Sequence, residues 1–151
     1  LEFDGHNIKI INGSVSGSTS AGGLNIAEWT LSENNIDLMI LCLGANDMLR
    51  GINPKETKNN LEEIIQIAKN KNIKVIIAGM IAPTSYGFAY KKSFDKIFSD
   101  LSKKHKLQLI PFLLEGVAQN PKFNLSDGMH PNDQGTIIIG NTLKKAILEN
   151  L

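Results

Sequence analysis

Asp37-Leu38-Met39-Ile40-Leu41-Cys42-Leu43 is an unbroken apolar run that ends in the glycine turn Gly44-Ala45-Asn46-Asp47. A run without in–out alternation predicts a strand buried on both faces, the pattern of a parallel sheet. Ile8-Lys9-Ile10-Ile11 predicts a shorter strand before it, and Ile73 to Ala78 and Leu107 to Ile110 predict two more after it. Helical stripes separate these runs. Asn53-Pro54 reads as a cap with proline in the first turn, after which Leu61, Ile64, Ile65 and Ala68 share one face. Tyr90, Phe94, Ile97, Phe98 and Leu101 form a second stripe that ends in the basic run Lys103 to Lys106. A final helix is expected after Pro131, with Ile139, Leu143, Ala146 and Ile147 facing inward, and a shorter one over Leu24 to Leu31 around Trp29. Strands alternating with helices predict an α/β fold with a parallel sheet. No repeat, low-complexity tract or linker interrupts the chain, so 1–151 is expected to be a single domain.

Composition narrows the functional classes. The 151 residues, 42% apolar and 21% charged, are enough to bury a core. A net charge of +1 with scattered lysines argues against nucleic acid as a partner. One cysteine excludes an internal disulfide, and its place inside the apolar run predicts a small buried hydrophobe. No apolar stretch approaches the roughly 20 residues that span a bilayer, so no transmembrane segment is expected. Leu1-Glu2-Phe3-Asp4 is neither a signal peptide nor a natural start. The chain is therefore expected to begin mid-stream, and the compartment stays open.

Three motifs carry chemistry. In Ile11-Asn12-Gly13-Ser14-Val15-Ser16-Gly17-Ser18-Thr19-Ser20 a strand enters a glycine- and hydroxyl-rich turn. The Gly17 amide there is placed to point into a site at the carboxyl end of the sheet, although a plain β-to-α turn would use the same residues. A phosphate loop does not fit, because neither G-x-G-x-x-G nor Gly-Lys-Ser/Thr is present. In Gly44-Ala45-Asn46-Asp47 the glycine permits close backbone approach and the Asn46 amide offers two donors; a turn with Asx capping is the alternative. Asp47 orients the loop or caps the next turn. Arg50, the only arginine, is either a substrate contact or a solvated charge. Asp127-Gly128-Met129-His130, followed by Pro131, is the strongest element: a carboxylate three positions before a histidine suits a general base held and charge-stabilised by its neighbour. Its alternatives are a surface turn capped by Asp127 and a metal site, the latter disfavoured because no second histidine or cysteine cluster accompanies it. His6 and His105 read as surface residues.

Taken together, the Ser14-to-Ser20 turn, Leu43 to Gly51, Pro111-Phe112-Leu113-Leu114-Glu115-Gly116-Val117 and Asp127 to Pro131 resemble the SGNH, or GDSL, hydrolase superfamily. The likeness is greatest to its small bacterial branch of acyl-CoA thioesterases, lysophospholipases and arylesterases, and it runs the length of the chain. It implies a three-layer flavodoxin-like sheet with helices on both faces, and a serine esterase or thioesterase that needs neither cofactor nor metal. His130 would be the general base and Asp127 its partner, Gly17 (main-chain N–H) and Asn46 (side-chain amide) the oxyanion donors. Met48, Leu49 and Arg50 would belong to a substrate-pocket loop. The implied ligand is a small acyl ester or thioester, and the implied location periplasmic or secreted, with a cytoplasmic one also possible.

Two departures stand out. Position 18 is Ser where that branch commonly has an acidic residue, and the Gly-Asp-Ser-Leu block with the nucleophile is not in these residues. It is expected upstream of Leu1, on the first strand and its following turn. In the order 2-1-3-4-5 that strand is central. Ile8–Ile11 and Asp37–Leu43 are therefore expected to flank an empty slot, completed by the missing segment, by a second copy, or by rearrangement. Ser14, Ser16, Ser18, Ser20, Ser85 and Ser126 are not expected to substitute for the nucleophile. A catalytically inactive module for binding or assembly is the alternative.

Overall fold

The computed structural model describes residues 5–32 and 35–151; Leu1-Glu2-Phe3-Asp4 and residues 33–34 lie outside them. The chain forms two compact units, one of Val15–Leu113 and the other of Leu1–Ser14 with Leu114–Leu151.

The Val15–Leu113 unit holds a parallel sheet of three strands among the described residues: β1 (Leu38–Leu41), β2 (Lys74–Ala78) and β3 (Gln108–Ile110), in that order across the sheet. Leu38 lies opposite Lys74, and Ile76 opposite Gln108. The middle strand carries the core: Val75, Ile76, Ile77 and Ala78 are all buried. Its unbroken apolar run fits a strand with neighbours on both edges and side chains packed on both faces.

Four helices accompany the sheet in this unit: α1 (Ser20–Thr30), α2 (Ala45–Leu49), α3 (Pro54–Asn70) and α4 (Phe88–His105). The Asn53 side chain accepts the Lys55 amide at 2.9 Å and Pro54 opens α3, as its sequence predicts. Leu61, Ile64, Ile65 and Ala68 are buried along α3; Phe94, Ile97, Phe98 and Leu101 along α4. Tyr86, Tyr90 and Phe94 stack in series and Phe98 meets Phe94 edge to face, with centroids 5.6 to 6.0 Å apart. Helix α1 packs on α3, and α3 on α4 and β2. The architecture is of the α/β, flavodoxin-like class, and its strand order matches the last three positions of 2-1-3-4-5.

Several expectations change. Residues 8–11 form no strand, and Ile10 is 70% exposed. A β-prone run becomes a strand only when a ladder partner accepts its hydrogen bonds, and no described residue pairs with it. The Asp37–Leu43 run is a strand only over Leu38–Leu41, with Leu38, Met39 and Ile40 half-buried rather than covered on both faces. It is the edge of the described sheet, so one side has no neighbouring strand. Cys42 is accordingly exposed, not a buried hydrophobe. Surrounding protein still desolvates its thiol enough to raise the pKa, which disfavours the reactive thiolate. His105 is not a free surface residue: its ring Nε2 lies 2.8 Å from Glu62, which also pairs with Lys104, and the two partners hold the Glu62 carboxyl below its usual range. The residues after Gly44, read as a turn, coil into α2.

In the other unit, Asn124 and Pro131 form an antiparallel bridge just before α5 (Asp133–Leu148). The Asn132 side chain caps α5 by accepting the Gly135 amide at 3.0 Å. Ala146 is buried; Ile139, Leu143 and Ile147 are half-buried and Ile137 is exposed, so the inward stripe is less covered than expected. Among the described residues no helix is long and apolar enough to cross a membrane.

The burial pattern sets a contrast that denaturation can read. Phe94→Ala removes a ring with no exposed surface and should cost about 3–5 kcal/mol. Trp29→Ala, at a residue 80% exposed, should stay within about 0.5 kcal/mol. Urea unfolding midpoints of the two variants check both values.

Candidate active site

The Gly17 turn is built by backbone geometry. Ser18 N donates to Val15 O at 3.1 Å, and Gly17 takes a positive φ of 73° at the third position, where a type II turn calls for glycine. Thr19 then caps α1 by accepting the Gly22 amide. Among the described residues no acceptor engages the Gly17 N–H.

Helix α2 brings Asn46 to this turn. Gly44, its N-cap, has a φ of +114°, and a Cβ there would meet the Phe98 ring at 3.3 Å, so both conformation and space call for glycine. Asn46 Nδ2 donates to Ser18 O at 3.0 Å, and Arg50 Nη2 to Gly17 O at 3.0 Å. Gly17 and Asn46, 29 positions apart in the chain, are thus neighbours. Of the expected pocket loop, Met48 is half-buried while Leu49 and Arg50 are exposed. Ile52 N donates to Asp47 O at 2.9 Å and Tyr90 Oη to Ile52 O at 3.0 Å, which closes the loop behind Arg50. An open groove of about 530 Å³ borders it, lined by Gly51, Asn53, Pro54, Ala89, Tyr90 and Ser93 among others.

Asp47 is the residue whose part the sequence left unassigned. It has no exposed surface and accepts hydrogen bonds from Ser20 N at 2.7 Å, from Ser20 Oγ and from Thr57 Oγ1 at 3.0 Å. Ser20, itself fully buried, also accepts from Asn60 Nδ2. That hydroxyl is committed and closed to substrate, so Ser20 is no stand-in nucleophile. The hydroxyl-rich glycine turn suggested a helix cap; that Ser20 serves a carboxylate 27 positions away is a tertiary fact.

In the other unit, Asp127 and His130 meet. The Asp127 Oδ1 accepts the main-chain amides of Met129 and His130, each at 2.9 Å, while Oδ2 lies 2.6 Å from His130 Nδ1. An ionised carboxylate only accepts, so Nδ1 carries a hydrogen and, in the neutral ring, Nε2 is the nitrogen with the lone pair. The two main-chain amides and the ring hold the Asp127 carboxyl at about 2, against an ordinary 3.8. The pair is open to solvent, with the ring 69% exposed. Leu125 N donates to His130 O at 2.7 Å and Gly128 N to Leu125 O at 2.9 Å, so the turn that carries both residues is closed on itself. Beside it a cavity of about 410 Å³ is lined by Asn124, Leu125, Ser126 and Gly128 among others. Among the described residues no three histidine, cysteine or carboxylate side chains gather as a metal site.

The lowered pKa has a definite sign. The ionised form holds the 127–130 turn at all pH values above about 4 and lets go only as pH falls towards 2. Carboxyl carbon NMR should therefore show Asp127 titrating near 2. In His130→Ala the midpoint should rise only part of the way to 3.8, because the two main-chain amides remain.

Comparison with known proteins adds the lineage. The model of the GDSL-like lipase/acylhydrolase family matches residues 3–136. The chain is 33% identical over 147 residues to an arylesterase of Vibrio mimicus, covering 97% of this chain and 74% of the relative. It is 36% identical over 131 residues to esterase TesA of Pseudomonas aeruginosa, covering 87% of this chain and 65% of that protein. The crystal structure of AlinE4, an SGNH-hydrolase family esterase, superposes with a TM-score of 0.80 at 36% identity, covering all of this chain and 81% of that one. The chain thus spans 65 to 74% of the two relatives' length. On this match across nearly its whole length, the chain belongs to the GDSL-like lipase/acylhydrolase family of SGNH hydrolases.

Proposed function

We propose that the natural protein hydrolyses carboxylic esters or thioesters through an acyl-enzyme, with its nucleophilic serine on a segment preceding residue 1. The observation that carries this reading is the 2.6 Å link from His130 Nδ1 to Asp127, which leaves Nε2 free to act as a base. The serine Oγ attacks the acyl carbonyl while Nε2 takes its proton; the same proton then goes to the departing alcohol or thiol. Asp127 stabilises the imidazolium formed in between. Gly17 N–H and one Asn46 amide hydrogen donate to the oxyanion, and Met48, Leu49 and Arg50 border the substrate. Water, activated by His130, releases the acid. Membership of an acylhydrolase family, with esterases among the relatives, supports the assignment.

The test is hydrolysis of short-chain p-nitrophenyl esters by the full-length natural protein. His130→Ala should lower kcat roughly 10⁴- to 10⁶-fold. Asn46→Ala should lower it roughly 10²- to 10³-fold. Undiminished turnover in His130→Ala would end the proposal. A fluorophosphonate probe should label one serine of the active protein, and peptide mapping should place it outside 1–151; a labelled Ser14, Ser16, Ser18, Ser85 or Ser126 would overturn the upstream nucleophile.

A further inference from the structure

We infer that Asp47 is a positioning residue for the oxyanion donors, a buried carboxylate that holds Asn46 and the Gly17 turn at a set separation before substrate arrives. The inference rests on the hydrolase reading above and gives that site a residue beyond its base and donors.

Three observations converge on it. The carboxylate is the chain neighbour of Asn46 and has no exposed surface. Its hydrogen-bond partners are all polar groups of other helices: the main-chain amide and hydroxyl of Ser20, at the start of α1, and the hydroxyl of Thr57, in the first turn of α3. The turn with Gly17 ends where α1 begins, so Asp47 joins α2 to that turn at Ser20 while Asn46 joins it at Ser18. Arg50 adds a third tie to Gly17 O at the surface. The two donors are thereby held from one short helix through successive residues, 46 and 47. One Asn46 hydrogen is used on Ser18 O, and the second stays available to a ligand.

The residue type matters as much as the place. Three donors face this side chain, and a carboxylate is purely an acceptor. Asparagine has the same shape but presents N–H groups to at least one hydroxyl or amide that is itself donating. The hydroxyls so faced must reverse their roles or turn away, and Ser20 Oγ already accepts from Asn60 Nδ2, so the interlock loosens and α2 shifts relative to the Gly17 turn. Donors aimed at a developing charge act through position, so a shift of this kind lowers turnover more than substrate binding.

The test is a double-mutant cycle in the full-length natural protein with p-nitrophenyl butyrate. Asp47→Asn should lower kcat roughly 10- to 100-fold with KM little changed. Combined with Asn46→Ala, it should add little to the loss that Asn46→Ala causes alone, because without the Asn46 amide there is no separation between two donors left for Asp47 to set. A role confined to stability predicts instead that the two losses multiply, or that kcat per folded molecule is unchanged. Either result overturns the inference. If Asn46→Ala keeps full kcat, the donor assignment falls and the Asp47 link with it. If Asn46→Ala is impaired and Asp47→Asn is not, the Asp47 link alone falls. Should Asp47→Asn fail to fold, Thr57→Val removes one donor from the same carboxylate. It should show the same loss of kcat and the same coupling to Asn46→Ala, and a wild-type kcat there overturns the inference.

Discussion

A carboxylate withdrawn from water must be matched by donors or by a cation, and Asp47 is matched by donors alone. Desolvating such a group costs several kcal/mol, which is recovered only if each partner is in place. The partners belong to α1 and α3 while the carboxylate belongs to α2. The three helices therefore share one arrangement in which the charge is satisfied, and any slide of one against another strands it. Position at the N-terminus of α1 helps, since the first amides of a helix favour a negative neighbour. The ordering of the Gly17 turn and of Asn46 follows from that arrangement.

The two pairs of proposed site residues are held by different physics. Asp127 and His130 are three positions apart, and the backbone between them wraps the carboxylate with two amides. This geometry closes within one turn and needs no core, which is why an exposed pair can form it. Coulomb attraction between exposed groups would contribute little here. Gly17 and Asn46 rely on long-range packing: a glycine N-cap crowded by Phe98, a buried carboxylate, and hydrogen bonds spanning 27 to 33 positions.

Burial across the sheet follows strand position rather than strand composition. β2 and β1 are comparably apolar, yet β2 is buried from Val75 to Ala78 while β1 is buried only at Leu41, because among the described residues β2 has a strand on each edge and β1 on one. Ile10, in the β-prone run 8–11, has no ladder among the described residues and is exposed. Cys42 follows β1 into the open for the same reason.

Much of this was legible along the chain wherever a local rule applied. The α3 cap at Asn53-Pro54 and the stripes of α3 and α4 follow from helix geometry, and strand limits at 74–78 and 108–110 came within a residue of their apolar runs. The Asp127–His130 pair was equally readable, since both its residues and the amides that bind it lie within four positions. What one dimension could not carry were pairings between distant residues. The Glu62–His105 contact and the service of Ser20 and Thr57 to Asp47 each depend on what lies across space. Sequence by itself determined most of the elements, the family blocks and the local Asp127–His130 contact, because those interactions close within a turn or repeat with a fixed period. Tertiary structure alone decided which apolar runs are covered and which polar groups meet in the interior, because burial and the matching of donors to acceptors are properties of neighbours that the chain order does not name.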